Sequence, residues 1–220
     1  MDLTRLSAML YSLPALLVGV VVHEYAHGRV AELMGDPTAR NAGRLTFNPL
    51  PHLDPFGSIL LPILLILTGS PILFAAAKPV PVNPMFFKRG RRDFFWVGIA
   101  GPISNLAIAF VSGIILAAVY SWAPGAIVMI MGRMVIVNCV LAVFNLIPLP
   151  PLDGSRLVEA YMPDKWLKGY MSIEPFGIFI IFGLFFLVPG FFNLIILPIV
   201  DGLATFFMTW PLRLLSLFGL

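Results

Sequence analysis

Long apolar runs separated by short polar stretches dominate the chain, and the longest runs suit helices that cross a membrane. Segment A covers about 6–34 and ends at the turn signal Gly35-Asp36-Pro37. The other apolar segments are B (56–77), C (about 93–120), D (about 126–149), and E and F, which divide 175–220 at Pro189-Gly190. A span needs about 20 residues, so the pattern predicts an all-α membrane protein, a helical bundle of about five to six transmembrane segments.

Composition supports a membrane protein. The chain is 59% hydrophobic and only 11% charged, whereas soluble domains carry about a quarter charged residues. The net charge is +3, but the basic residues lie in short loops, where they set the orientation of a membrane protein. The sequence therefore predicts contact with a lipid bilayer and gives no sign of nucleic-acid binding.

Segment A contains the motif His23-Glu24-Tyr25-Ala26-His27. Two histidines four residues apart lie one turn apart on one face of a helix, so both rings can reach one zinc ion. Glu24, next to the first histidine, is positioned to act as a general base. A purely structural pair of polar residues is the alternative, but ionisable residues in spans are costly and mark functional sites.

A catalytic zinc takes three protein ligands, and no other histidine is well placed to be the third. The carboxylates that are neither in polar loops or at span edges nor too far along segment A are Asp54, Asp153 and Asp201. Asp153 is preferred because Pro148, Pro150 and Pro151 break open the segment before it, and broken helices at membrane depth line cavities. On these grounds Asp201 stays an alternative.

Three motifs together resemble the site-2 protease family of intramembrane metalloproteases. They are His23-Glu24-x-x-His27, then Gly101-Pro102-Ile103-Ser104-Asn105, and then Asn145-x-x-Pro148-x-Pro150-x-Leu152-Asp153-Gly154. The resemblance implies one catalytic Zn²⁺ bound by His23, His27 and Asp153, with Glu24 as the base. It also implies that the substrates are single-pass membrane proteins already trimmed by another protease, with anti-sigma factors as one candidate class.

Residues 48–55 and 77–84 resemble the compact bacterial and archaeal branch of that family, which carries neither a PDZ domain nor a nucleotide-sensing module. The chain likewise has no room for either. We therefore expect a single membrane-embedded protease domain over 1–220, with a catalytic core at about 6–154 and a C-terminal helical pair at about 175–218. The expected location is a prokaryotic cell membrane.

Other polar residues near the motifs have open roles. Asn105 and Asn145 either bind the backbone of an unwound substrate helix, or orient Glu24, or form hydrogen bonds between helices. His52 and Asp54 lie in a Pro-rich loop, where a loop-stabilising or pH-sensitive role is favoured over metal binding. Asp201 is expected to face the bundle interior or a water-filled gap.

The metal ligands must meet at one depth, which constrains the path of the chain. Basic residues follow segment A, so it is expected to run from outside to inside and to place the zinc in the cytoplasmic half. Segment D must run the same way to bring Asp153 to that depth, and segment C the opposite way. Segment B is therefore predicted to be a re-entrant hairpin broken at Gly69-Ser70-Pro71, with short extended stretches beside it.

Two other functions compete with proteolysis. A transporter or channel for divalent metal ions or protons also uses intramembrane His and Asp. Against it, the sequence has no inverted repeat and only one such cluster, and transport has no need of Glu24 beside His23. A catalytically inactive relative is disfavoured because every expected catalytic residue is present.

Overall fold

The fold is described from a computed structural model that covers residues 3–60, 64, 77–188 and 190–217. In those ranges the chain is helical and forms no strand, which confirms the predicted all-α class. The α-helices are α1 (Leu3–Met34), α2 (Thr38–Asn41), α3 (Arg92–Val119), α4 (Gly125–Asn145), α5 (Asp153–Tyr161), α6 (Asp164–Met171), α7 (Gly177–Leu187) and α8 (Leu197–Leu217). Short π-helical turns at Pro55–Leu60 and Phe192–Ile196 join them.

Five helical stretches in the described ranges are long and apolar enough to cross a membrane. They are Met9–Met34, Arg92–Val119, Gly125–Asn145, Asp164–Leu184 and Phe192–Leu214. The chain is therefore a multi-pass membrane protein. The stretch at 164–184 reaches its length by joining α6 to α7, since α7 alone has 11 residues and extends about 16 Å.

Helices α1, α3, α4 and α8 pack through small residues, as helices in membranes do. Ala109, Val135, Cys139, Val200 and Ala204 form the centre of one buried cluster. At Gly113 a Cβ atom would lie 2.2 Å from the carbonyl oxygen of Phe207, so α3 and α8 approach closely. This close packing fixes the positions of the helices that carry the three motifs relative to one another.

Aromatic contacts give the direction of α8. Phe192, just before α8, lies 6.4 Å from Phe144 in the last turn of α4, measured between ring centroids. Phe207, further along α8, lies 6.0 Å from Phe110 of α3. Helix α8 therefore begins at the end of the bundle where α4 ends, and runs parallel to α3.

Segment D and the polar stretch after it differ in detail from the predicted boundaries. The helix α4 ends at Asn145, four residues earlier than expected, because the prolines from Pro148 onward disfavour helical backbone before them. The polar stretch is itself helical, as α5 and α6, and Asp153 is the first residue of α5. Asp153 thus starts a new helix after the break.

The predicted re-entrant hairpin, with its break at Gly69-Ser70-Pro71, lies largely outside the described residues. Both of its flanks are described: the backbone N–H of Lys78 donates to the carbonyl of His52 at 2.9 Å. The chain therefore enters and leaves this stretch at a single point of the molecule. Residues 77–83, on the return flank, form no helix, in line with the predicted extended stretch.

Candidate metal centre

His23 and His27 project from one face of α1 and meet in the interior. Each residue is only 7% exposed, and their Nε2 atoms lie 2.9 Å apart. The spacing of four residues places the rings one turn apart, with centroids separated by 4.6 Å. The helix alone therefore supplies two neighbouring imidazole nitrogens.

Asp153 completes a three-residue cluster from the opposite side. Its Oδ2 lies 2.9 Å from Nε2 of His23 and 3.1 Å from Nε2 of His27. The next residue explains this placement: a Cβ at Gly154 would lie 2.3 Å from the carbonyl oxygen of Leu146, so only glycine lets α5 begin this close to the end of α4. Of the three carboxylates considered from sequence, Asp153 is the one that joins the histidines.

Hydrogen bonds behind the histidines fix which nitrogen carries the proton. His27 Nδ1 lies 2.6 Å from the carbonyl oxygen of Val97, and a carbonyl can only accept. His23 Nδ1 lies 2.6 Å from Oδ1 of Asn105, whose amide nitrogen donates elsewhere, to Gly19 and Asn138. Both histidines therefore bear hydrogen on Nδ1, and in the neutral form of each ring the Nε2 lone pair is directed toward Asp153.

This arrangement fits a zinc ion. With both rings neutral, two lone pairs and a carboxylate oxygen meet at about 3 Å, and a bound cation would relieve their repulsion. Zinc–ligand bonds of about 2.0–2.1 Å at tetrahedral angles put ligand atoms about 3.3 Å apart, close to the separations in the cluster. Outer partners such as Asn105 and the Val97 carbonyl are typical of histidines that bind metals.

Gly101 makes room for the cluster on the α3 side. A Cβ there would lie 2.4 Å from Nε2 of His27 and 2.5 Å from Nε2 of His23. Real Cβ atoms do not approach other atoms so closely, so any other residue would displace the rings. The Gly101-Pro102 motif thus keeps the helix backbone against the two ligands.

Glu24 lines the same cavity as the three cluster residues. Its Oε2 accepts a hydrogen bond of 2.8 Å from the backbone N–H of Val80 in the extended stretch. Asn145 also lines the cavity, and its Nδ2 donates to the Leu141 carbonyl in its own helix. No described residue donates to the amide oxygen of Asn145, so this atom is available to a ligand.

Asn105, for which substrate binding was one of the predicted roles, is not among the residues that line the cavity. Its side chain is fully buried, and both of its amide atoms bond to protein groups. Because these bonds reach His23 and not Glu24, Asn105 orients a histidine. Of the roles predicted for Asn105, these contacts support hydrogen bonding between helices, and one of the contacts reaches His23 of the cluster.

The remaining sequence candidates lie away from the cluster. His52 is buried and its Nε2 bonds to the Thr46 carbonyl, whereas Asp54 accepts from the backbone N–H of Gly57 at the start of a π-helical turn. Both contacts support the loop-stabilising interpretation. Asp201 is exposed on α8, so it does not face the bundle interior, and the alternative of a water-filled gap stays a prediction.

Two residues at the site, Asn138 and Arg156, were not predicted from sequence. Asn138 is fully buried and accepts from Asn105, and Arg156 lines the cavity with its Nε 4.0 Å from Oδ1 of Asp153. An asparagine inside an apolar span was the available signal for Asn138, because such residues need a partner within the bundle. Arg156, three residues after Asp153, lies on the same face of a short helix.

The relatives found by comparison with known proteins are named as putative zinc metalloproteases. The "Putative zinc metalloprotease YwhC" of Bacillus subtilis is 39% identical over 191 residues, which cover 84% of this chain and 83% of that protein. The "Putative zinc metalloprotease Rip2" of Mycobacterium tuberculosis is 30% identical over 178 residues, covering 77% of this chain and 64% of that protein. The "Putative zinc metalloprotease MJ0611" of Methanocaldococcus jannaschii is 34% identical over 82 residues, or 34% of this chain and 41% of that protein. No family model and no solved structure matches the chain.

Proposed function

This chain belongs to the site-2 protease-like family of zinc metalloproteases, and from that premise we propose that it hydrolyses peptide bonds within or near transmembrane helices of single-pass membrane proteins. The observation that carries the proposal is the buried His23–His27–Asp153 cluster with Glu24 in the same cavity. His23 and His27 lie on α1, which is long and apolar enough to span a membrane, and Asp153 follows the end of α4, another candidate span. A substrate helix would therefore meet the site from within the bilayer.

Each residue of the cavity has a proposed role. His23, His27 and Asp153 hold the zinc ion, which when bound polarises the scissile carbonyl and makes water a stronger nucleophile. Glu24 takes the proton from the attacking water and delivers it to the leaving amine as the C–N bond breaks. Asn145 accepts a hydrogen bond from the substrate backbone, and Asn105 keeps the His23 ring in place.

The substrate must expose its backbone before attack. A helix hides its carbonyl groups in internal hydrogen bonds, so a transmembrane substrate has to unwind where it is cut. Segments interrupted by Gly or Pro unwind at lower cost and should be preferred. We propose substrates already trimmed by another protease, consistent with regulated intramembrane proteolysis or the clearance of membrane remnants.

The cavity is proposed to face the cytoplasm of a prokaryotic cell. Exposed basic residues lie at the end of the bundle that holds the metal cluster: Arg40 is in α2, Lys88 and Arg89 precede α3, and Arg92 begins it. Lys and Arg are enriched in cytoplasmic loops of membrane proteins. In this orientation water and products exchange with the cytosol, and 1–220 acts as one membrane-embedded protease domain.

Co-expression with model substrates tests the proposal. The panel consists of tagged single-pass proteins whose apolar helix is either continuous or interrupted by Gly-Pro. We expect the chain to cut the interrupted helix, and the Asp153→Asn variant to leave it intact. In purified samples 1,10-phenanthroline should stop cleavage, added zinc should restore it, and the non-chelating 1,7 isomer should have no effect. Cleavage that persists in excess chelator would exclude the metal mechanism.

A further inference from the structure

The carboxylate of Glu24 accepts one described hydrogen bond from a backbone N–H, and the donor is a residue that lies between two prolines. In Pro79-Val80-Pro81 the two prolines have no N–H, so Val80 carries the only backbone donor of the three. That N–H donates to Oε2 of Glu24 at 2.8 Å, and Val80 is 6% exposed. The position of residues 78–80 therefore determines where the carboxylate of Glu24 is held.

Arg44 fastens this stretch from the loop after α2. Arg44 is buried, and its Nη2 donates to the carbonyl of Lys78 at 2.5 Å and to that of Pro79 at 3.4 Å. On its other side Lys78 donates its N–H to the carbonyl of His52 at 2.9 Å. Both backbone groups of Lys78 are thus held by the 44–52 loop, two residues before Val80.

The same stretch is also seated on α1. Gly28 lies one turn after Glu24, and a Cβ there would lie 2.8 Å from Cδ2 of Leu45 and 3.0 Å from Cγ1 of Val80. At the far end the carboxylate of Asp36 accepts from the N–H of Asn83 at 2.6 Å. The stretch is therefore anchored at both ends, and Val80 lies between the anchors.

We infer that Arg44 is a positioning residue for Glu24, acting through the backbone of residues 78–80. The inference rests on the proposed role of Glu24 as the base. A glutamate side chain has three rotatable bonds, and small displacements of a catalytic group cost about 100-fold in rate. Loss of Arg44 should therefore lower kcat while leaving zinc binding and substrate binding in place, because Arg44 contacts none of the proposed metal ligands and does not itself line the cavity.

The test compares Arg44→Ala and Arg44→Lys with Arg40→Ala. Arg40 is a matched control, since it lies in the same region but pairs with Glu32, away from residues 78–80. Three quantities are measured: zinc per chain, hydrogen exchange in the peptide containing Val80, and kcat and KM on the model substrate with the Gly-Pro interruption. Arg40→Ala should match the wild type in all three.

For Arg44→Ala we expect unchanged zinc, faster exchange at Val80, a kcat lower by about 10- to 100-fold and a KM within about twofold of wild type. Arg44→Lys should recover part of the loss, because an ammonium can still donate to the Lys78 carbonyl. The same order of exchange rates, wild type slowest and alanine fastest, is expected without any substrate.

Wild-type exchange at Val80 in both Arg44 variants would overturn the inference, and so would an unchanged kcat or a loss that falls on KM or zinc alone. A wild-type protein that leaves every model substrate intact would instead count against the proposed function. In that case the exchange rates still decide whether Arg44 holds the stretch that contacts Glu24. If Arg44→Ala does not accumulate, the lysine variant decides, since it should show intermediate exchange and kcat.

Discussion

Nδ1 of His23 lies 2.6 Å from the side-chain oxygen of Asn105, although 82 residues separate them. The amide nitrogen of Asn105 donates to the Gly19 carbonyl and to Oδ1 of Asn138, so its oxygen is directed at the histidine. This contact determines that His23 offers Nε2 to a metal ion. A residue of the second motif thereby orients a histidine of the first.

The contact predicts that Asn105→Leu weakens zinc binding. Leucine has a similar size but cannot accept the hydrogen bond, so the His23 ring loses its fixed orientation and tautomer. Loss of such an outer partner typically costs about 10- to 100-fold in metal affinity or activity. Competition with a calibrated chelator measures the affinity. Ser104→Ala is the control, because among the described residues that hydroxyl bonds to the Gly101 carbonyl of its own helix and to no other group. The zinc affinity of this variant should equal that of wild type.

Gly101→Ala should abolish metal binding while the bundle still assembles. The added methyl carbon would lie 2.4 Å from His27 Nε2, so the ligands must move apart. Gly132→Ala is a matched control on α4, where a Cβ meets nothing within 4 Å. Elemental analysis of both purified variants is the measurement. One zinc per chain in Gly101→Ala would contradict the position given to α3.

The pairing of His23 and His27 in the cluster could be predicted from sequence because it is local. Four-residue spacing in a helix dictates that His23 and His27 share a face, whatever surrounds them. The choice of Asp153 could not be made from helix spacing. The break at Pro148 to Pro151 indicated that Asp153 lines a cavity, and the resemblance to a family of proteases favoured it over Asp54 and Asp201. Local sequence patterns cannot decide between these three carboxylates, because the position of Asp153 depends on how α5 packs against α4.

The particular partners of Asn105 and Asn138 could not be predicted, for a different reason. Helices α3 and α4 are apolar on all sides, so no stripe of polar residues indicates which face turns toward α1. The hydrogen bond from Val80 to Glu24 and those from Arg44 to the carbonyls of Lys78 and Pro79 join stretches that are far apart in sequence. Such contacts follow from the tertiary arrangement, which the hydropathy pattern leaves open.

The proposed orientation predicts one-sided labelling of introduced cysteines. Single cysteines at Ala42, Arg89 and Ser121, all exposed positions, are placed in a Cys139→Ser background. Because Lys78 bonds to His52, the loop after α2 and the basic run before α3 lie at the same end of the bundle. An impermeant thiol reagent should therefore reach Ala42→Cys and Arg89→Cys from the cytoplasmic side only.

Ser121→Cys serves as the control for sidedness, since residue 121 follows α3 at the opposite end and should react from outside only. Labelling of Arg89→Cys from outside, in a protein that still cleaves the model substrate, would reverse the proposed orientation. Labelling of Ala42→Cys and Arg89→Cys from different sides would contradict the shared entry and exit point at His52 and Lys78.

Glu24→Gln is the most direct test of the claim that a zinc centre at His23, His27 and Asp153 cleaves peptides with Glu24 as its base. Glutamine keeps the size of the side chain and an oxygen that can accept from the Val80 N–H, but it cannot take a proton. The measurement is zinc per chain and cleavage of the Gly-Pro-interrupted model substrate, in the variant and in wild type side by side. We predict one zinc per chain in both proteins, with cleavage in the variant lower by at least about 100-fold. Cleavage at the wild-type rate, or loss of zinc from the variant, would contradict the assignment of Glu24 as a base that does not bind the metal.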